Sequence, residues 1–152
     1  MKKGCIALFI LVAWILSGCS SILSPNKQYE FRQAFDQIVS IEILRKEYDS
    51  ISTSTPMNVL KEIDPSLHKD VIDGLLETPG GPGGMPPGTG FGLYIICITY
   101  QDGEREMIGN YNNGYILPNG EVHQNNYRFD TNAYYDLISC ILGKEITDYT
   151  YG

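Results

Sequence analysis

Tryptophan, histidine and positive charge are scarce in this chain, and each shortage removes a class of function. Among 152 residues there are one Trp and two His, and 11 Lys and Arg stand against 18 Asp and Glu, a formal net charge of -7. An acidic body is poorly matched to a phosphate backbone, which is bound by clustered cations, so nucleic acid is excluded as a partner. The two histidines, His68 and His123, have no further His or Cys at metal-ligand spacing, and no metal or cofactor is expected. The Gly-x-Ser-x-Gly elbow of serine hydrolases and the Gly-Lys-Ser/Thr of phosphate-binding loops are both missing. Long apolar runs are missing too, with one exception: Ile6 to Leu16, shorter than the ~20 residues that cross a bilayer core as a helix.

That run sits in an ordered arrangement. Lys2 and Lys3 precede it, and Leu16-Ser17-Gly18-Cys19 closes it. A charged end stays cytoplasmic, an apolar segment enters the bilayer, and small residues leave the backbone open to a peptidase. The arrangement resembles the lipobox signal peptide of bacterial lipoproteins, a resemblance confined to residues 1–19. It implies cleavage between Gly18 and Cys19, acylation of Cys19 with fatty chains such as palmitate, and retention on a membrane facing outside the cytoplasm, at the cell surface or in the periplasm. Two chains suffice for a firm anchor, since each buried methylene contributes about 0.8 kcal/mol.

Residues 1–18 are therefore set apart as a leader. With them go Trp14, Cys5 and two of the basic residues, so the working domain is more acidic than the whole chain and its aromatic surface rests on 11 tyrosines. Residues 19–30 form the lipidated cysteine and a Ser-rich tether broken by Pro25. At ~3.5 Å per residue, its stretch to Gln28 reaches at most about 30 Å from the bilayer. Residues 31–146 make one domain and 147–152 a polar tail. Cys97 and Cys140 remain, either as one disulfide or as two free thiols.

Within the domain, Ile38 to Leu44 alternates β-branched residues with Ser40 and Glu42, the pattern of a half-buried strand. Tyr29, Phe31 and Phe35 before it fit a strand start or a helical turn equally. Met57 to Ile63 is a short second strand. Asp64-Pro65 is a helix start, and Leu67, Val71, Ile72, Leu75 and Leu76 place an amphipathic helix over 65–77, with His68 on its solvated face. Residues 79–92 are Gly/Pro-rich and uncharged, a loop unable to hold a helix or a central strand.

Asp102-Gly103 between two β-rich runs predicts a two-residue hairpin turn. In that register Tyr100 faces Arg105, Ile98 faces Met107 and Ile96 faces Gly109 on the core side. Cys97, Thr99, Glu106 and Ile108 fall on the second side, and a bridge from Cys97 to Cys140 would need the last helix to cover that side. Tyr115-Ile116-Leu117 lies between Asn-Gly turns. A calcium loop centred on Gly114 does not fit, because its ligand positions fall on Gly109, Tyr111 and Gly120. Glu121 to Phe129 forms a last strand with His123, Tyr127 and Phe129 on one face. Asp130 caps a helix over 131–142 that ends at Gly143. The expected fold is α+β, a small antiparallel sheet with two helices packed on one face as a two-layer sandwich.

Catalytic sets do not assemble from this pattern. Cys97 or Cys140 would have to meet His68 or His123, and nothing in the register brings them together. Carboxylates beside Lys or Arg fit a solvated surface. The domain is expected to be no enzyme but a non-catalytic binding or protein-interaction module, with a membrane or cell-wall protein as partner. The alternative is a binder of cell-wall glycan or a small ligand using Tyr111, Tyr115 and Tyr127, or a small hydrolase.

Overall fold

The computed structural model describes residues 28–47, 56–83 and 91–147. Gly18, Cys19 and the rest of the leader lie outside the described residues, as do 84–90 of the Gly/Pro segment and the tail from 148.

Six strands form the main sheet: β1 (Ile38–Lys46), β2 (Met57–Glu62), β4 (Tyr94–Tyr100), β5 (Arg105–Ile108), β6 (Asn113–Ile116) and β7 (Val122–Asn125). Their order is β2-β1-β4-β5-β6-β7, with every neighbour antiparallel. A two-stranded ribbon pairs β3 (Gly80–Pro82) with β8 (Tyr127–Phe129). Helices α1 (His68–Glu77) and α2 (Thr131–Leu142) both pack on one face of the main sheet. The fold is α+β.

The alternation in β1 does what it predicts. Ile41 and Ile43 are fully buried beneath the helices with Ile96, Ile98 and Ile108. From above, α1 contributes Val71, Ile72 and Leu75, and α2 contributes Tyr134, Tyr135 and Ile138. Tyr134 satisfies its buried hydroxyl by donating to the Ile108 carbonyl at 2.7 Å. Both helix starts use the expected carboxylates: Asp64 accepts from the Ser66 amide and Asp130 from the Ala133 amide, each at 2.9 Å. On the other face Leu44, Phe91, Ile95, Cys97 and Met107 form a second, smaller core. Cys97 thus points away from α2, and Cys97 and Cys140 are both free thiols.

Four expectations need correction. The β4–β5 loop has three residues, not two. Gly103 donates to the Tyr100 carbonyl at 3.0 Å with φ +83°, and the Tyr100 amide donates to the Glu104 carbonyl at 2.9 Å. A type I turn closed by a left-handed glycine slips the register by one residue, which turns every β5 side chain over. Ile98 therefore faces Glu106, Cys97 faces Met107 and Ile96 faces Ile108, so Met107 leaves the main core and Glu106 enters it.

Second, Gly80, Gly81 and Pro82 are a strand after all, paired with Phe129, Arg128 and Tyr127; a ribbon edge tolerates proline where a central strand does not. Third, the last strand is broken at Asn126, leaving His123 on the main sheet and Tyr127 and Phe129 on the ribbon. Fourth, a 3₁₀ turn, Pro65–Leu67, precedes α1 and changes its phase. Leu67 is exposed, while His68 is buried with Nε2 3.2 Å from the Ile63 carbonyl.

The sheet is locked to the segment before β4 by one close approach. A Cβ on Gly109 would lie 1.6 Å from the Phe91 carbonyl oxygen, whereas one on Gly81 would meet nothing within 4 Å. Gly109→Ala is expected to lower stability by about 1–3 kcal/mol through forced backbone displacement, and Gly81→Ala by less than about 0.5 kcal/mol. Urea midpoints of the two variants measure the difference, and equal midpoints would contradict the packing described.

Candidate functional site

Across the helix-covered face, paired residues form rows that change character. One runs Ile41, Ile98, Glu106, Tyr115, His123 and the next Ile43, Ile96, Ile108, Asn113, Asn125. The β1 and β4 ends are aliphatic and lie under the helices. At β6 and β7 the same face turns polar.

Glu106 stands at the change. It is 2% exposed and Glu104 4%, so the solvated role expected for these carboxylates is replaced by a structural one. Glu106 Oε1 accepts from the Tyr29 hydroxyl at 2.6 Å; Oε2 accepts from the Arg32 backbone amide at 3.1 Å and from the Tyr100 hydroxyl. Glu104 accepts from Arg32 Nε at 2.6 Å, and Asp102 from the Gln33 side chain at 2.8 Å. Three acidic residues spaced two apart thus fasten residues 29–33 across the end of the hairpin. Tyr29 is itself part of the core, packed against Tyr127 and Phe129. The domain therefore includes Tyr29 and Glu30, which the sequence assigns to the tether.

Beside this strap is a cavity of about 220 Å³ bordered by Glu30, Arg32, Glu106, Tyr115, Gln124 and Asn125. The Arg32 guanidinium lies 4.4 Å over the Tyr115 ring, and His123 stacks on the same ring at 4.9 Å with an 11° interplanar angle. His123 Nε2 is also 2.9 Å from the Glu121 carboxylate. A larger, more open groove of about 410 Å³ follows the β3–β8 ribbon, lined by Gly80, Gly81, Pro82, Gly83, Arg128, Phe129 and Asp130. Among the described residues its lining offers fewer polar side chains than the smaller cavity, which is the better candidate.

The three candidate tyrosines do not come together. Tyr115 borders the cavity. Tyr127 is buried in the aromatic core, and Tyr111 lies in the β5–β6 connection under the Arg128 guanidinium, 5.8 Å from its ring centre. Glu30, Arg32, Glu106 and Asn125 were not legible as site residues; the alternation Asp102, Glu104, Glu106 was the available signal. The nucleophile and base candidates are dispersed. Cys97 lies on the far face, with Sγ 3.3 Å from Arg105 Nη2, and burial raises its thiol above the ordinary range. Cys140 is exposed on α2, and His68 is engaged with Ile63. Among the described residues no group of three or more His, Cys, Asp or Glu is placed to hold a metal ion.

Compared with protein families, with curated proteins and with solved structures, the chain matches none.

Burial raises the Glu106 carboxyl above its ordinary value of 4.5, against the hydrogen bonds from Tyr100, Tyr29 and the Arg32 amide that favour its ionised form. Burial first, and then the Glu106 charge, push the Tyr29 and Tyr100 hydroxyls up as well. A carboxyl raised on folding holds its proton more tightly in the native state. Its stabilising contribution is complete below the ordinary carboxylate range and lost as pH rises through the folded value. Native stability should therefore carry a component that declines as pH rises from the ordinary value of 4.5 through the raised folded one, with a slope of at most about 1.4 kcal/mol per pH unit. Glu106→Gln should remove it. Glu106→Ala, which strands two buried phenols, should cost about 3 kcal/mol. Urea unfolding across that pH range tests both; parallel curves for wild type and Glu106→Gln would rule out the assignment.

Proposed function

We propose that this protein is a lipid-anchored, non-catalytic binding module held on the outer side of a membrane, and that it binds through the cavity beside β5–β7. The observation that carries the reading is the convergence of Glu30, Arg32, Tyr115, Gln124 and Asn125 on one concavity closed at its buried end by Glu106. Concave sites with a few fixed polar groups are where ligands are held. The anchor rests on the lipobox-like Leu16-Ser17-Gly18-Cys19. Among the described residues no helix is long and apolar enough to cross a membrane.

The position of the cavity suits that anchor. The segment that enters the domain from the tether is the same one whose Glu30 and Arg32 border the cavity. From Cys19 to Tyr29 the chain spans about 35 Å at most, so the cavity operates close to the bilayer. A partner protein embedded in or resting on that membrane is within reach. A glycan stacked on Tyr115 is less well supported, because Arg32 and His123 already occupy the ring.

Two experiments test the proposal. Cys19→Ala should abolish the lipid-sized mass on the mature N-terminus and release the protein from membranes; retention without acylation would show that the anchor is something else. A photo-crosslinker placed at exposed Gln124, beside the cavity, should capture a partner in intact cells, whereas one at exposed Lys69 on α1 should not. Equal capture from both positions would remove the cavity from the reading.

A further inference from the structure

We propose that the cavity is a site for a primary ammonium group, with the Glu106 carboxylate as its buried anionic partner and Glu30 as the partner at its rim. The inference rests on the reading of this cavity as the binding site. It begins from the acceptor count at Glu106. An ionised carboxylate offers about four acceptor positions; Oε2 uses two, for Tyr100 and the Arg32 amide, and Oε1 uses one, for Tyr29. One position on Oε1 remains, on a side chain that borders the cavity.

Charge selects what fills it. Among the described residues that border the cavity the single cation is Arg32, and its Nε is committed to Glu104 while its guanidinium lies over Tyr115. With Arg32 and Glu104 offsetting each other, Glu30 and Glu106 leave the cavity negative. An anion is repelled there. A neutral polar ligand satisfies one acceptor but leaves the buried carboxylate without a counter-charge, which is the costly arrangement for a desolvated ion. An ammonium has three donors and no acceptor, so it can meet Glu106 and still donate to the side-chain carbonyls of Gln124 and Asn125 or to Glu30. At about 220 Å³ the space takes one ring or one short chain. The same chemistry is carried by an amino sugar and by a lysine side chain of a partner protein.

Two matched pairs of probes separate these sources. Glucosamine is compared with N-acetylglucosamine, and Nα-acetyl-lysine amide with its Nε-acetylated form, each titrated into the full-length acylated protein in detergent micelles. The readout is the backbone and side-chain amide signals of Gln124 and Asn125. At least one free amine should shift these signals with Kd about 1 mM, at least tenfold tighter than its acetylated counterpart. The amine that binds better identifies the source. Glu30→Gln, an exposed change that leaves the strap intact, should weaken the amine about threefold or more and leave the acetylated probe unaffected. If amine and amide bind equally, the ammonium assignment is wrong while the cavity stands as a binding site. If no probe moves the signals, the assignment is equally overturned, and the Gln124 crosslink decides separately whether the cavity binds anything.

Discussion

The Glu106 carboxylate, buried on the inner face of β5, is the group on which the organisation of the site depends. A desolvated carboxylate is tolerated only when its lone pairs are met, and the donors that meet it come from three places: Tyr100 on β4, Tyr29, and the backbone of Arg32. Satisfying Glu106 therefore means drawing residues 29–32 across the sheet. That strap in turn places Arg32 over Tyr115 and Glu30 at the cavity rim. One polar requirement thus fixes the point where the chain enters the domain, one wall of the cavity and much of its charge.

The rest of the fold supplies the contrast that makes this requirement local. Beneath α1 and α2 the sheet face is continuous aliphatic surface from β1 to β4, closed by aromatic contacts that run from Tyr29 through Phe129 to Tyr134 and Tyr135. Beyond β5 the same rows present Tyr115, His123, Asn113 and Asn125. Stability and recognition occupy two halves of one face. Asn113 joins them, since its side chain accepts from the Gly109 amide and donates to the Tyr127 carbonyl at the start of the ribbon.

Much of the fold was legible because its signals are local. Alternation in β1, carboxylate caps at Asp64 and Asp130, and the spacing of Val71, Ile72, Leu75, Tyr134 and Ile138 each depend on neighbours within a few residues. The site was far less legible. Asp102-Gly103 is compatible with a two-residue and a three-residue hairpin, and the sequence does not choose between them. The choice decides whether Met107 or Glu106 faces the helices. With the wrong register Glu106 looks like a solvated charge and Glu30 a tether residue; with the right one both border the cavity. His68 was misplaced for a similar reason, a single 3₁₀ turn that rotated the start of α1.

By itself the sequence determined most of the element types, the α+β class and the acidic balance, because propensity, capping and composition are properties of short stretches. Only the tertiary structure decided which carboxylate is buried, which tyrosine borders the cavity and how residues 29–33 join the core. Those outcomes follow from register and from contacts between residues more than 70 positions apart, such as Tyr29 with Glu106. No local pattern carries that information, since a one-residue slip in an antiparallel pair preserves the composition of both strands and exchanges their faces.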